Sequence, residues 1–203
     1  MGRIGICPRH WRNIAVVAIL AGSVLPTAAE PAPIGFCPAE RALYELRDPG
    51  GEEVWKLRLV PAEANAGIAS DLYLNLVTPQ RGYWFAFGVS QGYGGISIFP
   101  VSDPYIEPGP RDLLSGPEGE TRMEEVGGFL RFLAFDTALD IANDPPNRGD
   151  EAPLHILLPE LGQGLWYSAS AFTDDPSADR DPMPRGLFRR SGCLAASGPE
   201  ARP

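Results

Sequence analysis

Leu72-Tyr73-Leu74-Asn75-Leu76-Val77-Thr78, then Pro79-Gln80-Arg81-Gly82, then Tyr83-Trp84-Phe85-Ala86-Phe87-Gly88-Val89-Ser90 is the stretch that decides the fold. The first run sets three leucines on one face at period two, and the second aligns Tyr83, Phe85, Phe87 and Val89. A helix turns about 100° per residue and would scatter these side chains around its axis, whereas a strand alternates them between two faces. Proline and glycine between the runs supply a turn. The stretch therefore reads as a β-hairpin.

The same pattern continues on both sides. Upstream, a strand over 43–47 enters Asp48-Pro49-Gly50-Gly51, a turn sequence. It returns through 54–59 with Trp55, Leu57 and Leu59 on one face and Lys56 and Arg58 on the other. Downstream, strands are expected over 96–99 and over the apolar run 129–136. An antiparallel pair is expected over 154–158 and 165–170, joined across 159–164, and a last strand over 186–190. Eight or nine short strands cut by scattered glycine and proline indicate an all-β, single-domain antiparallel sandwich or barrel. Residues 102–127 interrupt it with a long loop rich in proline and glycine, read as a lid, an insertion or a stretch hiding a short strand at 123–126.

Ahead of this domain stand Arg3, Arg9 and Arg12 without an acid, an apolar run over 14–25, and Thr27 and Ala29 at the small-residue positions. These are the parts of a secretory signal, with cleavage expected after Ala29. The apolar run is short of the roughly 20 residues of a spanning helix. Ser23 stands where a lipoprotein signal of this form would carry its cysteine, so no membrane anchor is expected. The domain is then 30–193, with a disordered tail over 194–203. Cleavage removes three basic residues and no acid, taking the formal charge from −9 to −12. So acidic a surface repels phosphate backbones and disfavours nucleic acid as a partner.

Cleavage also removes Cys7 and His10, leaving Cys37, Cys193 and the lone His155. In an oxidising compartment, periplasmic or extracellular, two cysteines near opposite ends pair. A Cys37–Cys193 bond closes almost the whole mature chain and stabilises it by up to about 5 kcal/mol in the chain-entropy picture. One imidazole and no free thiol make a poor zinc ligand set, and neither a metal nor a cofactor is expected. Asp174, Asp175, Asp179 and Asp181 crowd together but lack the alternating spacing of a calcium loop, and a solvated acidic loop is expected there.

Three functions stay open. Gly88-Val89-Ser90-Gln91-Gly92 matches a nucleophile elbow, with Asp136 or Asp140 and then His155 in the order of an α/β-hydrolase triad. The elbow needs a helix next, and Tyr93-Gly94-Gly95-Ile96 suits a loop and strand. An apolar barrel interior could instead carry a small ligand. The leading expectation is a non-enzymatic protein that binds a protein partner or an envelope component. Trp84 lies on the face opposite Tyr83, Phe85 and Phe87, and with Gly92, Tyr93, Gly94 and Gly95 it forms the candidate binding surface. The competing cover for that face is the 102–127 segment.

Overall fold

The structure is a computed structural model, and it describes residues 35–62, 69–89, 95–106, 109–114 and 130–195. Residues 1–34, where the signal segment is expected, Ser90, Gly92, Tyr93, Gly94, the greater part of the 102–127 loop and the residues beyond 195 lie outside the described residues. Nine strands form one antiparallel sheet: β1 Ala42–Arg47, β2 Val54–Pro61, β3 Leu72–Val77, β4 Gly82–Val89, β5 Ile96–Val101, β6 Leu130–Arg131, β7 Leu133–Phe135, β8 His155–Leu157 and β9 Phe188–Cys193. One short helix, α1 Leu161–Ser168, lies between β8 and β9.

The spatial order is β6-β5-β4-β3-β2-β1-β9-β8-β7. The two outermost strands are separated in sequence only by Phe132. A sheet whose edges are consecutive residues has curled into a nearly closed barrel. The run expected as one strand over 129–136 is thus split where the sheet's two ends meet. Leu130 and Arg131 pair with β5, residues 133–135 pair with β8, and the Phe132 N–H donates to the Ile96 carbonyl.

Period-two patterning decides what fills the barrel. Tyr44 and Leu46 of β1, Trp55, Leu57 and Leu59 of β2, the three leucines of β3, and Tyr83, Phe85 and Phe87 of β4 all belong to one buried core. Burying each such side chain contributes about 1.5–3 kcal/mol, against about 0–1 kcal/mol for a surface ion pair, so this interior dominates stability. Leu57, Leu59, Leu74, Leu76, Phe85 and Phe87 each have zero exposure. A side chain at zero exposure borders no water-sized void.

A second apolar layer lies on the outer face of β2 to β5, made of Val60, Tyr73, Trp84, Ala86 and Val101. Beyond β5 the chain doubles back, with the Ser102 N–H donating to the Arg111 carbonyl and the Leu113 N–H to the Pro100 carbonyl. This excursion lays Tyr105 edge-on against Trp84 at 5.5 Å between ring centres. The Tyr105 hydroxyl donates to the Pro61 carbonyl at 2.9 Å. Strands β3 and β4 are consequently covered on both faces.

Residues 161–172 depart from expectation. The run 165–170 is not a strand but the end of α1 and a 3-10 turn, Ala169–Phe172. Leu161 and Leu165 stand four apart and face the core, a helical spacing that a short apolar run hides when read at period two. Gly164 makes the packing possible: a Cβ there would sit 2.6 Å from the ring of buried Phe172. Helix α1 and Phe172 cover the barrel end where β8 finishes.

The opposite end is held by the Cys37–Cys193 disulfide, whose cysteines lie 156 residues apart in sequence with Cα atoms at 5.9 Å. Ala39 and Ala152 N–H groups donate to the Asp150 and Cys37 carbonyls beside it. A disulfide in this position points to an oxidising, extracellular-type compartment.

Candidate functional site

Two open clefts flank β8 at its opposite ends. The first precedes His155 and measures about 760 Å³. Among the described residues its lining includes Asp136, Asp140, Asp144, Asp150 and Glu151 and no basic residue. Several of these acids serve turns: Asp136 Oδ1 accepts the Ala138 and Asp140 N–H groups at 2.8 and 2.9 Å, and Asp150 Oδ2 accepts the Asn147 N–H at 2.8 Å. Among the described residues, no three His, Cys, Asp or Glu side chains stand together as metal ligands.

The hydrolase constellation does not assemble from its described members. A triad needs the acid on the histidine Nδ1. Here His155 Nδ1 is buried without a hydrogen-bond partner among the described residues. Ser90 lies outside the described residues.

The second cleft follows Leu157 and measures about 830 Å³. Helix α1 forms one wall. Its apolar face is turned inward, which places Trp166 and Tyr167 outward, 41% and 72% exposed. The other wall is Pro182-Met183-Pro184-Arg185-Gly186. Gly162 lets the walls meet, since a Cβ there would lie 3.3 Å from the Met183 carbonyl oxygen. The Arg180 guanidinium lies over the Trp166 ring at 5.4 Å.

Asp181 fixes this second wall. Its carboxylate is fully buried, accepting the Thr78 hydroxyl at 2.6 Å and the Tyr83 hydroxyl at 2.9 Å, while its N–H donates to the Leu165 carbonyl. Arg81 Nε stands 3.9 Å away. Burial, followed by the bond to Asp181 and its charge, pushes the Tyr83 hydroxyl well above the usual phenol range, so it stays a donor. The expectation of a solvated loop through 174–181 is therefore wrong for Asp181. It fits the neighbours better: Asp174 pairs with Arg111, and Asp175 accepts the Ser177 N–H and hydroxyl.

Charge separates the clefts. Among the described residues, the second is lined by Arg185 and Gln163 and by no acid, in a chain with 26 acidic residues. The nearby Glu160 is turned to Arg131, which it meets at 2.6 Å from Nε and 2.5 Å from the terminal nitrogen. Arg185 is exposed and has no ion-pair partner among the described residues.

Of the residues expected to bind, Trp84 is 9% exposed beneath Tyr105, so it is packing rather than platform. Gly95 leads into β5 at φ +67°, a backbone suited to glycine. The exposed aromatic pair is instead Trp166 and Tyr167, which a strand would set on opposite faces and a helix brings to one cleft. Comparison with protein-family models, curated proteins and solved structures returns no match.

Proposed function

We propose that this chain is a non-enzymatic binding protein, exported to the periplasm or the cell exterior, that takes an envelope component in the cleft between α1 and residues 182–186. One observation carries this: Trp166 and Tyr167 are both exposed and both line that cleft. Large aromatics left in water beside a concave surface mark binding sites, because a ligand gains by covering them. The disulfide and the basic-apolar-small order of residues 1–29 support export. The polarity of the barrel supports a soluble protein. Its interior is apolar, its outer face carries Glu45, Lys56 and Arg189 on β1, β2 and β9 beside the apolar layer that Tyr105 packs on, and its strands are shorter than the roughly 9–11 residues a membrane barrel uses.

Solute quenching of tryptophan emission tests the assignment. Trp55 and Trp84 are buried, so acrylamide reads Trp166 in the mature protein. Titration with soluble envelope fragments is expected to shield Trp166, with binding lost in Trp166→Ala. Fragments that bind equally well to wild type and Trp166→Ala would place the site elsewhere.

A further inference from the structure

Resting on the cleft assignment, we infer that the ligand is a saccharide carrying a carboxylate. The first observation is charge. Among the described residues the cleft has no acidic lining residue and presents Arg185 without an ion-pair partner, and Arg180 lies over the Trp166 ring, while the protein as a whole is strongly acidic. An acid-free surface with a free guanidinium selects an anion, and a guanidinium matches a carboxylate in a two-bond fork. The same net charge of −9 disfavours polyphosphates and nucleic acid, which a single unpaired arginine cannot offset.

The second observation is shape and chemistry. Trp166 and Tyr167 offer aromatic faces to the apolar C–H face of a sugar ring, and Gln163 adds an amide able to donate to and accept from hydroxyls. Pro159, Pro182 and Pro184 make the walls stiff, so little freedom is lost on binding. At about 830 Å³ the cleft falls within the ~300–1,000 Å³ of small-ligand sites, which suits a disaccharide better than a single ion.

Third, the wall bearing Arg185 is held by a buried anchor. Asp181, four residues before Arg185, is locked to Thr78, Tyr83 and the α1 backbone. The backbone that carries Arg185 is therefore anchored before the ligand arrives, which reduces the ordering that binding must supply.

The carboxylate can sit on a free sugar acid or on a muramic-acid unit of an envelope glycan, and calorimetry with paired probes separates the two. Cellobiouronic acid is measured against cellobiose, and N-acetylglucosaminyl-N-acetylmuramic acid against chitobiose. The inference expects at least one acidic probe to bind about tenfold or more tightly than its neutral partner. That preference is expected to vanish in Arg185→Gln, return in part in Arg185→Lys, and be untouched in Asp140→Asn of the other cleft. Both Arg185 variants alter an exposed side chain, and circular dichroism verifies their folding. Equal binding of acidic and neutral probes through Trp166 overturns the carboxylate while leaving the cleft assignment standing. Failure of every probe to bind the folded protein overturns the saccharide, and the quenching titration then judges the cleft on its own. Binding of the muramic probe alone assigns the envelope source; binding of cellobiouronic acid alone assigns the free sugar acid.

Discussion

The two ends of the barrel are closed by different means, and their clefts differ accordingly. At the Cys37–Cys193 end, a covalent bond and backbone hydrogen bonds hold an acidic loop region in which the Asp136 and Asp150 carboxylates cap their own turns. At the α1 end, closure is by packing of Leu161, Leu165 and Phe172 and by the buried Asp181 cluster. That leaves Trp166, Tyr167 and Arg185 exposed, Trp166 meeting the Arg180 guanidinium and Arg185 having no ion-pair partner among the described residues. The lesson is that carboxylates already committed to backbone N–H groups have little left to offer a ligand, whereas aromatic and guanidinium groups left idle on a fixed frame do.

The strongest way to break this contrast is to open the first end. Replacing both Cys37 and Cys193 with serine is expected to lower unfolding free energy by up to about 5 kcal/mol in denaturant titrations. Hydrogen exchange should rise around 37–42 and 150–154 and stay near wild type around 161–167. Uniform loosening would mean that the two ends are not independent.

The reciprocal change is Asp181→Ala, which leaves the buried Tyr83 hydroxyl without its acceptor and the Thr78 hydroxyl with only the Arg81 carbonyl, and is expected to cost about 3 kcal/mol. Here exchange should rise over 161–167 and 182–186, with the disulfide end unmoved. A smaller loss, about 1–3 kcal/mol, is expected for Gly164→Ala, because the new methyl must push the Phe172 ring aside. Unchanged thermal stability of that variant would show that α1 packs more loosely than its contacts imply.

The smallest effect concerns the β1–β2 turn. The Glu53 N–H, with that of Gly50, holds the Asp48 carboxyl below the usual carboxylate range. A carboxyl lowered in the folded state contributes stability that is complete above its unfolded value and is lost as pH falls through its lower native one. The melting-temperature gap between wild type and Asp48→Ala should therefore be present at neutral pH and close in acid. A gap that persists under strongly acidic conditions would assign the effect to something other than that charge.

The barrel was largely legible before any coordinates, and the candidate site was not. Strands β1 to β5 carry period-two patterns and turn residues in plain view, and two remaining cysteines pair in one way only. The site depends on signals that local patterning does not carry. Trp84 looks like a platform at period two; the alternative, cover by the 102–127 segment, is what Tyr105 provides, and no local pattern chooses between the two. Leu161 and Leu165 announce a helix only when counted four apart across two glycines, poor helix formers that obscure it. Asp181 sits among solvated aspartates and differs from them solely in what lies behind it, the Thr78 and Tyr83 hydroxyls, about a hundred residues upstream. Each miss is a tertiary contact overriding a local pattern.

The most direct test of the contrast between the two ends is the backbone amide NMR spectrum of the mature protein titrated with the acidic disaccharides. Shifts confined to residues 157–167 and 182–186 are the predicted result. Shifts centred on 134–154, around the acidic cleft, would contradict it.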